Sequence, residues 1–347
     1  MLILIQFDIM IKKIRLALFA PFHFVNLILG FQKFKKNNQN TPSHYQSLIN
    51  SFCFSLGRSN TFLSKIITKQ FPPSYKYLGN GLLSHVNFEK VNEEINEKGY
   101  HIFDKLLSED IVEKLSHFAK TNKSTTRLKT VGGGNIIELI YDPNDKKAVR
   151  YDYKEEDLIN NSTVQELMTD TSILNIAQSY LNTTPIVDVT AMWWNTDYQK
   201  EPDSEAAQYF HFDMDRIKWL KFFFYITDVD EDKGPHSFVE GSHKDGGIPY
   251  SMTSKGYSRL SDEEVLSHYG KDRIKVFSAP KGTIIAEDTR GLHKGTNVIN
   301  GDRLIFQIQF SNTLFGASYK KSKLDLTKDE KLKSLDNQYP RILMNYK

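Results

Sequence analysis

The chain has 347 residues, 39% of them hydrophobic and 25% charged, which is ordinary globular composition and argues against a largely disordered protein. Its one cysteine, Cys53, cannot form an internal disulfide or build a thiolate-rich metal site, and it favours a reducing compartment such as the cytoplasm. The formal net charge of +3 is too small to indicate a nucleic-acid partner.

The N-terminal segment is the candidate for targeting. Residues 1–40 carry six basic side chains and one acidic one, and residues 16–31 between the basic clusters read LALFAPFHFVNLILGF. This apolar stretch is shorter than the about 20 residues of a membrane span, and it contains Pro21, His23 and Asn26. The sequence that follows it, GFQKFKKNN, offers no small-residue cleavage site of a signal peptide.

We therefore expect residues 1–83 to form a leader that is helical or partly disordered. Membrane contact through residues 10–36, as an interfacial helix of a peripherally associated protein, is an alternative that the sequence does not favour.

The catalytic body is predicted to begin near residue 84, after the Pro- and Gly-punctuated connector FPPSYKYLGNG. The segment FEKVNEEINEKGY predicts a helix that ends at Gly99, and Ser108 has the position of an N-cap for the next helix. Further helices are expected at 162–169 and 171–182.

Beyond residue 185 the pattern changes to short β-branched or aromatic stretches bounded by Gly, Pro, Asp and Asn. These stretches are residues 186–194, 216–229, 274–280, 282–288 and 303–313. Helices followed by this many strands predict an α+β chain whose core, residues 84–315, is a double-stranded β-helix (jelly roll) with flanking N-terminal helices. Residues 316–347 read as a charged C-terminal extension.

The pattern His211-Phe-Asp213 is a candidate for metal binding. Alternate residues of a strand project from the same face, so both polar side chains can reach one ion while Phe212 turns away. His293 from a distant strand would add a second imidazole. Two histidines and one carboxylate on one side of a metal are typical of non-haem Fe(II) oxygenases, and this donor set favours iron over zinc.

Arg303 begins the apolar strand RLIFQIQF, where an unpaired guanidinium would be costly to bury. Its fork suits a planar carboxylate. If His293 and Arg303 lie on adjacent strands, the arginine can pair with one end of a small diacid whose other end chelates the metal, and 2-oxoglutarate fits that description.

Each residue also has a plainer interpretation. His-x-Asp alone is a weak signal in a chain with ten histidines, and Arg303 alone could pair with Asp288 or Asp302. His236 and His243 are interpreted as turn and surface residues of a Gly-rich turn.

Residues 211–244, HFDMDRIKWLKFFFYITDVDEDKGPHSFVEGSHK, together with EKGYHIFDKLLSEDIVEKL at 97–115 and the later DTRGLHKG and GDRLIFQIQF, closely resemble the phytanoyl-CoA dioxygenase family. The resemblance covers about residues 90–315. It implies an Fe(II)- and 2-oxoglutarate-dependent dioxygenase with His211, Asp213 and His293 as iron ligands and Arg303 as the anchor of the distal carboxylate of 2-oxoglutarate.

The resemblance also assigns contacts to the co-substrate. Asn195 lies where family members often place an amide. The hydroxyl that the family often has two residues after the distal histidine is replaced here by Gly295, and Thr296 supplies a hydroxyl one residue later.

The implied reaction consumes 2-oxoglutarate and O2, releases succinate and CO2, and hydroxylates a small-molecule substrate. Retention of Asp213 favours hydroxylation over halogenation. The competing hypotheses are a catalytically inactive jelly-roll binding protein and a zinc-dependent hydrolase.

Overall fold

Two facing antiparallel sheets form the C-terminal two thirds of the protein. The structure is a computed structural model that describes residues 2–128, 135–254, 256, 258–327 and 329–347. Its strands are β1 (Tyr100–Ile102), β2 (Lys123–Leu128), β3 (Asn135–Ile140), β4 (Arg150–Tyr153), β5 (Ile186–Thr196), β6 (Trp219–Tyr225), β7 (His236–Val239), β8 (Ile274–Phe277), β9 (Ile284–Glu287), β10 (His293–Gly295) and β11 (Asp302–Ser311).

The large sheet has eight strands in the order β1-β9-β6-β11-β5-β4-β2-β3, and the small sheet has the order β10-β7-β8. A bridge between His211 and His293 places the segment before β6 beside β10, at the edge of the small sheet. From β9 to β11 consecutive strands alternate between the two sheets, and the pair of facing sheets confirms the predicted jelly roll.

Side chains of β11 alternate between two environments, as the pleat of a strand requires. Leu304, Phe306 and Ile308 join a core between the large sheet and the helices. Ile305 belongs to a smaller core inside the barrel, formed with residues of β6, β7 and β8. The odd-numbered positions of β11 therefore face the interior where the polar candidates lie.

The helices cover the outside of the large sheet and one end of the barrel. They are α1 (Leu2–Asn37), α2 (Pro42–Ser55), α3 (Arg58–Gln70), α4 (Phe88–Lys98), α5 (Glu109–Thr121), α6 (Glu155–Ile159), α7 (Ser162–Met168), α8 (Thr171–Leu181), α9 (Tyr250–Thr253), α10 (Asp262–Tyr269) and α11 (Glu330–Gln338). Within the residues described, the structure contains no helix that is both long and apolar enough to cross a membrane.

The predicted ends of two helices are confirmed. Gly99 ends α4 with a positive φ of 100°, which a glycine adopts at little cost. The hydroxyl of Ser108 accepts a hydrogen bond from the backbone N–H of Ile111 and caps α5.

The N-terminal helices pack directly on the barrel. Phe31 and Phe34 of α1 both contact the ring of Phe315, with ring centres 5.5 and 5.6 Å away. Phe52 of α2 packs on Phe212, with ring centres 5.5 Å apart. These side chains belong to one core shared by the helices and the small-sheet end of the jelly roll.

The C-terminal segment closes the other side. Ile342, Leu343 and Tyr346 are fully buried in the core beneath the large sheet. The backbone N–H of Val187 at the start of β5 donates to the carbonyl of Ile342 at 2.8 Å. The residues that read as a charged extension thus contribute part of the main core.

Candidate functional site

The backbone brings the two candidate histidines together. His211 and His293 are direct partners in an antiparallel bridge, with N–H to carbonyl distances of 3.0 and 2.8 Å in the two directions. The N–H of Asp213 donates to the carbonyl of Thr289 at 2.8 Å, which continues the same pairing. Phe212, between the two polar residues, turns to the opposite face and packs on α2.

The side chains of His211, Asp213 and His293 converge. One ligand atom from each residue lies within 4.8 Å of the others. Nε2 of His211 is 3.7 Å from Oδ1 of Asp213, and Nε2 of His293 is 3.6 Å from Oδ2 of the same carboxylate. All three face the barrel interior and are buried or nearly so.

Hydrogen bonds set the tautomer of both histidines. Nδ1 of His211 is 2.9 Å from the carbonyl of Tyr209, and Nδ1 of His293 is 2.9 Å from the carbonyl of Gly291. A carbonyl only accepts, so Nδ1 carries the proton in each ring and Nε2 keeps its lone pair. Burial lowers the pKa of His293 to about 4 and that of His211 well below its usual value, so both rings are neutral at pH 7.

A lysine completes the electrostatics of the triad. Nζ of Lys221, on β6, lies 2.6 Å from Oδ2 of Asp213 and 3.9 Å from Asp215. Burial alone would raise the pKa of Asp213, but the ammonium of Lys221 outweighs it and holds the pKa below its usual value. Asp213 is therefore ionised, and its Oδ1 makes no contact with Lys221.

Arg303 is buried in the barrel interior with most of its hydrogen-bonding capacity unused. Its Nη2 donates to Oδ1 of Asn195 at 2.8 Å. Nε and Nη1 have no partner among the described residues. Burial lowers the pKa of this guanidinium to about 10, which still leaves it charged at neutral pH. Unused donors on a buried cation suit an external carboxylate, and each of them shares an edge of the guanidinium with Nη2.

The carboxylates that could have satisfied Arg303 are occupied elsewhere. Asp288 forms an ion pair with Arg290. Asp302 lies 2.8 Å from Nζ of Lys146. The plainer interpretation, a structural ion pair for Arg303, therefore fails within the described part of the chain.

Asn195 and Thr296, the other two expected contacts of the co-substrate, differ in their surroundings. Asn195 contacts Arg303 directly, and its Oδ1 also accepts from Nε1 of Trp193 at 2.8 Å, so its amide nitrogen is left without a partner among the described residues. The hydroxyl of Thr296 instead lies 3.3 Å from that of Ser237.

The expected relation between His293 and Arg303 was wrong in one respect. The two residues lie on facing sheets, β10 in the small sheet and β11 in the large one, and not on adjacent strands. Strand β10 still approaches Arg303, because a Cβ on Gly295 would lie 3.1 Å from Nη2 of Arg303. A glycine at this position leaves room for the guanidinium.

A second polar pair lies beside the triad. Nε2 of His236 is 2.9 Å from the carboxyl of Glu287, and the His236 ring stacks on His293 with ring centres 5.5 Å apart. Burial raises the pKa of Glu287 well above its usual value and lowers that of His236 to about 3.

The interpretation of His236 and His243 as turn and surface residues was wrong for His236 and only in part right for His243, which lies in a turn. Both are buried, with 7% exposure, and His236 belongs to strand β7. The four-residue strand is too short, and its Gly-Pro and Gly-Ser flanks are too turn-like, for the pattern to reveal it.

Sequence reasoning missed Lys221 and Glu287. The signal for Lys221 was available, because a charge inside the apolar strand WLKFFFY must find a buried partner, the same argument that singled out Arg303. Glu287 gave a weaker signal, since it ends a strand next to the acidic Asp288.

The donor set fits a divalent first-row metal. Two neutral imidazoles with free Nε2 lone pairs and an ionised carboxylate form a three-point site of the kind that binds non-haem iron. A buried guanidinium with two unused donors on the same cavity suits a second, carboxylate-bearing ligand.

Solved structures with similar folds include the epimerase SnoN of nogalamycin biosynthesis, with Fe3+, alpha ketoglutarate and nogalamycin RO (17% identity, 64% of this chain and 82% of that one, TM-score 0.44). HygX of Streptomyces hygroscopicus, with nickel, 2-oxoglutarate and hygromycin B, shares 15% identity over 67% of this chain and 91% of its own, with a TM-score of 0.43. EctD of S. alaskensis, with 2-oxoglutarate and 5-hydroxyectoine, shares 14% identity over 70% and 82%, with a TM-score of 0.43. These similarities are too distant to assign a substrate.

No curated protein matches the chain. The family model for phytanoyl-CoA dioxygenase (PhyH) matches residues 95–303, which is more than half of the chain and includes the triad and Arg303. The protein therefore belongs to the phytanoyl-CoA dioxygenase family.

Proposed function

We propose that the protein hydroxylates a small-molecule substrate while 2-oxoglutarate and O2 are converted to succinate and CO2. Family membership makes the protein a non-haem Fe(II)- and 2-oxoglutarate-dependent enzyme. Hydroxylation is the finer assignment, and the observation that carries the use of 2-oxoglutarate is Arg303, a buried guanidinium whose Nε and Nη1 have no partner among the described residues.

In this proposal His211, Asp213 and His293 hold Fe(II). The proton on each Nδ1 is retained by a backbone carbonyl, so both Nε2 atoms are available as ligands without proton loss. Lys221 keeps Oδ2 of Asp213 engaged and leaves Oδ1 for the metal. The iron supplies the oxidising chemistry when bound, and the chain supplies its ligands and their orientation.

Arg303 binds the distal carboxylate of 2-oxoglutarate. Asn195 contacts the guanidinium at Nη2, which leaves Nε and Nη1 without a partner among the described residues, and the free amide nitrogen of Asn195 is a further donor. Thr296 remains a proposed contact of the co-substrate, from the strand end next to Gly295.

The carboxylate of Asp213 supports hydroxylation. Halogenating relatives lack this ligand, because halide takes its position, and here an ionised carboxylate fills it and is held by Lys221.

The test is release of succinate by purified protein supplied with Fe(II), 2-oxoglutarate and O2, with metabolite pools as substrate source. We expect succinate in the complete mixture and none without Fe(II) or without 2-oxoglutarate. An oxygen-containing product that incorporates label from 18O2 would support hydroxylation.

Binding separates the proposal from the alternatives. Isothermal titration of 2-oxoglutarate into Fe(II)-loaded protein under anaerobic conditions should show one site that Asp213→Ala and Arg303→Leu each weaken. Absence of 2-oxoglutarate binding to the native protein would overturn the proposal. Binding without turnover on any pool would favour the inactive jelly-roll protein.

A further inference from the structure

The apolar N-terminal helix α1 directs two polar side chains of its apolar stretch, His23 and Asn26, toward α2. Nδ2 of Asn26 donates to the hydroxyl of Ser47 on α2 at 2.7 Å. Nε2 of His23 lies 3.0 Å from Nδ2 of Asn50, also on α2. The polar residues of this stretch are therefore used in contacts between helices.

Close packing fixes this orientation. A Cβ on Gly30 would lie 2.4 Å from Cγ of His44, so α1 approaches α2 at a position where only a glycine fits. Leu27 and Phe31 are buried on the same side. The helix cannot turn its other face toward α2 without losing these contacts.

The opposite face of α1 presents large apolar side chains to solvent. Phe22, Val25 and Leu29 follow helical spacing and are 60%, 56% and 56% exposed. Phe24 is also exposed, and its ring contacts that of the exposed Phe62 on α3, with centres 6.4 Å apart. We call these five residues the outer face. An exposed apolar patch of this kind marks a contact surface.

The outer face is surrounded by positive charge. Exposed Lys33, Lys35 and Lys36 follow it along α1, and Lys65 and Lys69 follow Phe62 on α3. Residues 9–88 contain ten lysines and arginines and not one aspartate or glutamate. The whole three-helix layer is thus cationic, although the chain as a whole carries only +3.

We propose that the outer face docks on an anionic lipid surface. Aromatic and aliphatic side chains beside lysines on a helix match the interface of an anionic bilayer, where the rings enter the headgroup region and the ammonium groups meet phosphate. The proposal concerns where the protein sits and is independent of its catalytic activity.

Two other occupants fit less well. A second copy of the chain would bring its own cationic helical layer to the same face, and like charges would repel. Nucleic acid would engage the lysines, but it offers no partner for Phe22, Val25 and Leu29, whose exposure would persist in such a complex.

The experiment is flotation of the full-length protein with vesicles of phosphatidylcholine alone or of phosphatidylcholine and phosphatidylglycerol in equal parts. We expect binding to the mixed vesicles, little binding to the neutral ones, and release as salt is raised. Circular dichroism and Fe(II) binding check that each variant is folded.

Two sets of variants dissect the surface. The triple change Phe22→Ser, Val25→Ser, Leu29→Ser should weaken vesicle binding by at least tenfold. The change Lys33→Gln, Lys35→Gln, Lys36→Gln should weaken it on the order of a hundredfold.

Matched controls lie on the barrel. Ile299→Ser with Val276→Ser removes two exposed apolar side chains, and Lys320→Gln with Lys321→Gln removes two exposed charges. Neither pair should change vesicle binding.

Several outcomes would overturn the proposal. One is failure of the protein to float with anionic vesicles at low salt, and another is an equal loss of binding in the outer-face and control variants. A third is a dimer in solution that is absent in the triple serine variant. The last would assign the face to a second copy. Retention on DNA that survives the serine variant, with no flotation, would assign the lysines to nucleic acid.

Discussion

Two buried cations face the barrel interior from neighbouring strands of the large sheet. Lys221 on β6 is neutralised by Asp213 and Asp215. Among the described residues, Arg303 on β11 is hydrogen-bonded to the amide of Asn195 alone. A paired cation stabilises the unliganded protein. A buried cation with unused donors destabilises it, and a ligand that accepts those hydrogen bonds offsets the loss. In the proposed function, Lys221 therefore supports the metal ligand Asp213, and Arg303 binds the co-substrate.

Replacing Arg303 by Leu should selectively remove 2-oxoglutarate binding. A charge-assisted contact to a buried carboxylate is worth roughly 3 kcal/mol, so the dissociation constant of 2-oxoglutarate should rise about a hundredfold or more. Fe(II) affinity should stay near that of the native protein, because no atom of Arg303 contacts the triad. Separate titrations of Fe(II) and of 2-oxoglutarate measure the two effects.

Arg303→Lys is the matched variant, since it keeps the charge but loses the bidentate geometry of the guanidinium. Its affinity for 2-oxoglutarate should lie between those of the native protein and Arg303→Leu. Loss of Fe(II) binding with normal 2-oxoglutarate dependence would make Arg303 a structural residue.

Replacing Lys221 by Met should destabilise the metal-free protein. It leaves Asp213 and Asp215 close together without a cation, and breaking a buried pair costs about 3–5 kcal/mol. A divalent metal supplies the missing charge, so the rise in Tm on adding Ni2+ should be larger than for the native protein. Thermal unfolding with and without metal measures this.

Lys275→Met is the control, because Lys275 pairs with Glu240 at the surface. An unchanged metal-free Tm for Lys221→Met would show that the pair contributes nothing before metal binds.

The two cations also show what residue-level reasoning could predict. Arg303 stood out because a cation opening an apolar strand demands a partner. Its partner could not be identified by elimination, since only the structure shows Asp288 and Asp302 engaged with Arg290 and Lys146.

At the scale of elements, five of the seven strands described beyond residue 185 were predicted, and the two short strands β7 and β10 were not. β11 and β5 carry ten and eleven residues of alternating character. β7 and β10, which complete the site, have four and three. Their residues form strands because neighbouring strands are available for pairing, and a local sequence pattern does not contain this information.

The strand expected at 216–229 is also shorter than predicted, and β6 begins at Trp219. Arg216 is held outside the ladder by two hydrogen bonds to the buried carboxylate of Asp188, at 2.7 and 2.8 Å. A long-range ion pair thus shortens a strand that β-propensity alone would extend to residue 216.

Gly30→Leu should separate α1 from α2. Any side chain here overlaps His44, and relief of the overlap requires movement of a packed helix, so we expect a loss of about 1–3 kcal/mol in the free energy of unfolding. Chemical denaturation measures it. Gln32→Leu, two residues along the same helix and exposed, is the control and should be nearly neutral. Equal stability of the two variants would contradict the close packing of α1 and α2.

At the scale of the whole molecule, the segments before and after the predicted catalytic domain share hydrophobic cores with it. Residues 1–83 contribute Phe31, Phe34 and Phe52 to a core shared with the barrel. Residues 316–347 contribute Ile342 and Tyr346 to the main core. Residues 316–347 were interpreted as a charged extension because their few apolar residues are diluted by polar ones, and the burial of those few could not be predicted from composition.

Ile342→Ala should therefore destabilise the whole protein. Truncating a fully buried aliphatic side chain costs about 2–5 kcal/mol, and the loss should appear in one cooperative transition seen by both far-UV circular dichroism and tryptophan fluorescence. Lys333→Ala, on the exposed side of α11, is the control. An unchanged main transition for Ile342→Ala would show that the C-terminal segment folds onto the barrel without stabilising it.

Lys221 has a consequence for the order in which the working protein is assembled. Small zinc domains stay unfolded until their ion arrives, because the metal itself supplies the folding energy. Here an ammonium group of the chain meets the ionised carboxylate of Asp213 at 2.6 Å, so the negative charge of the triad has a counter-charge before any metal binds. The polypeptide can therefore fold first and bind iron later. When iron is scarce, we expect the metal-free protein to stay folded and able to bind iron, and not to be degraded.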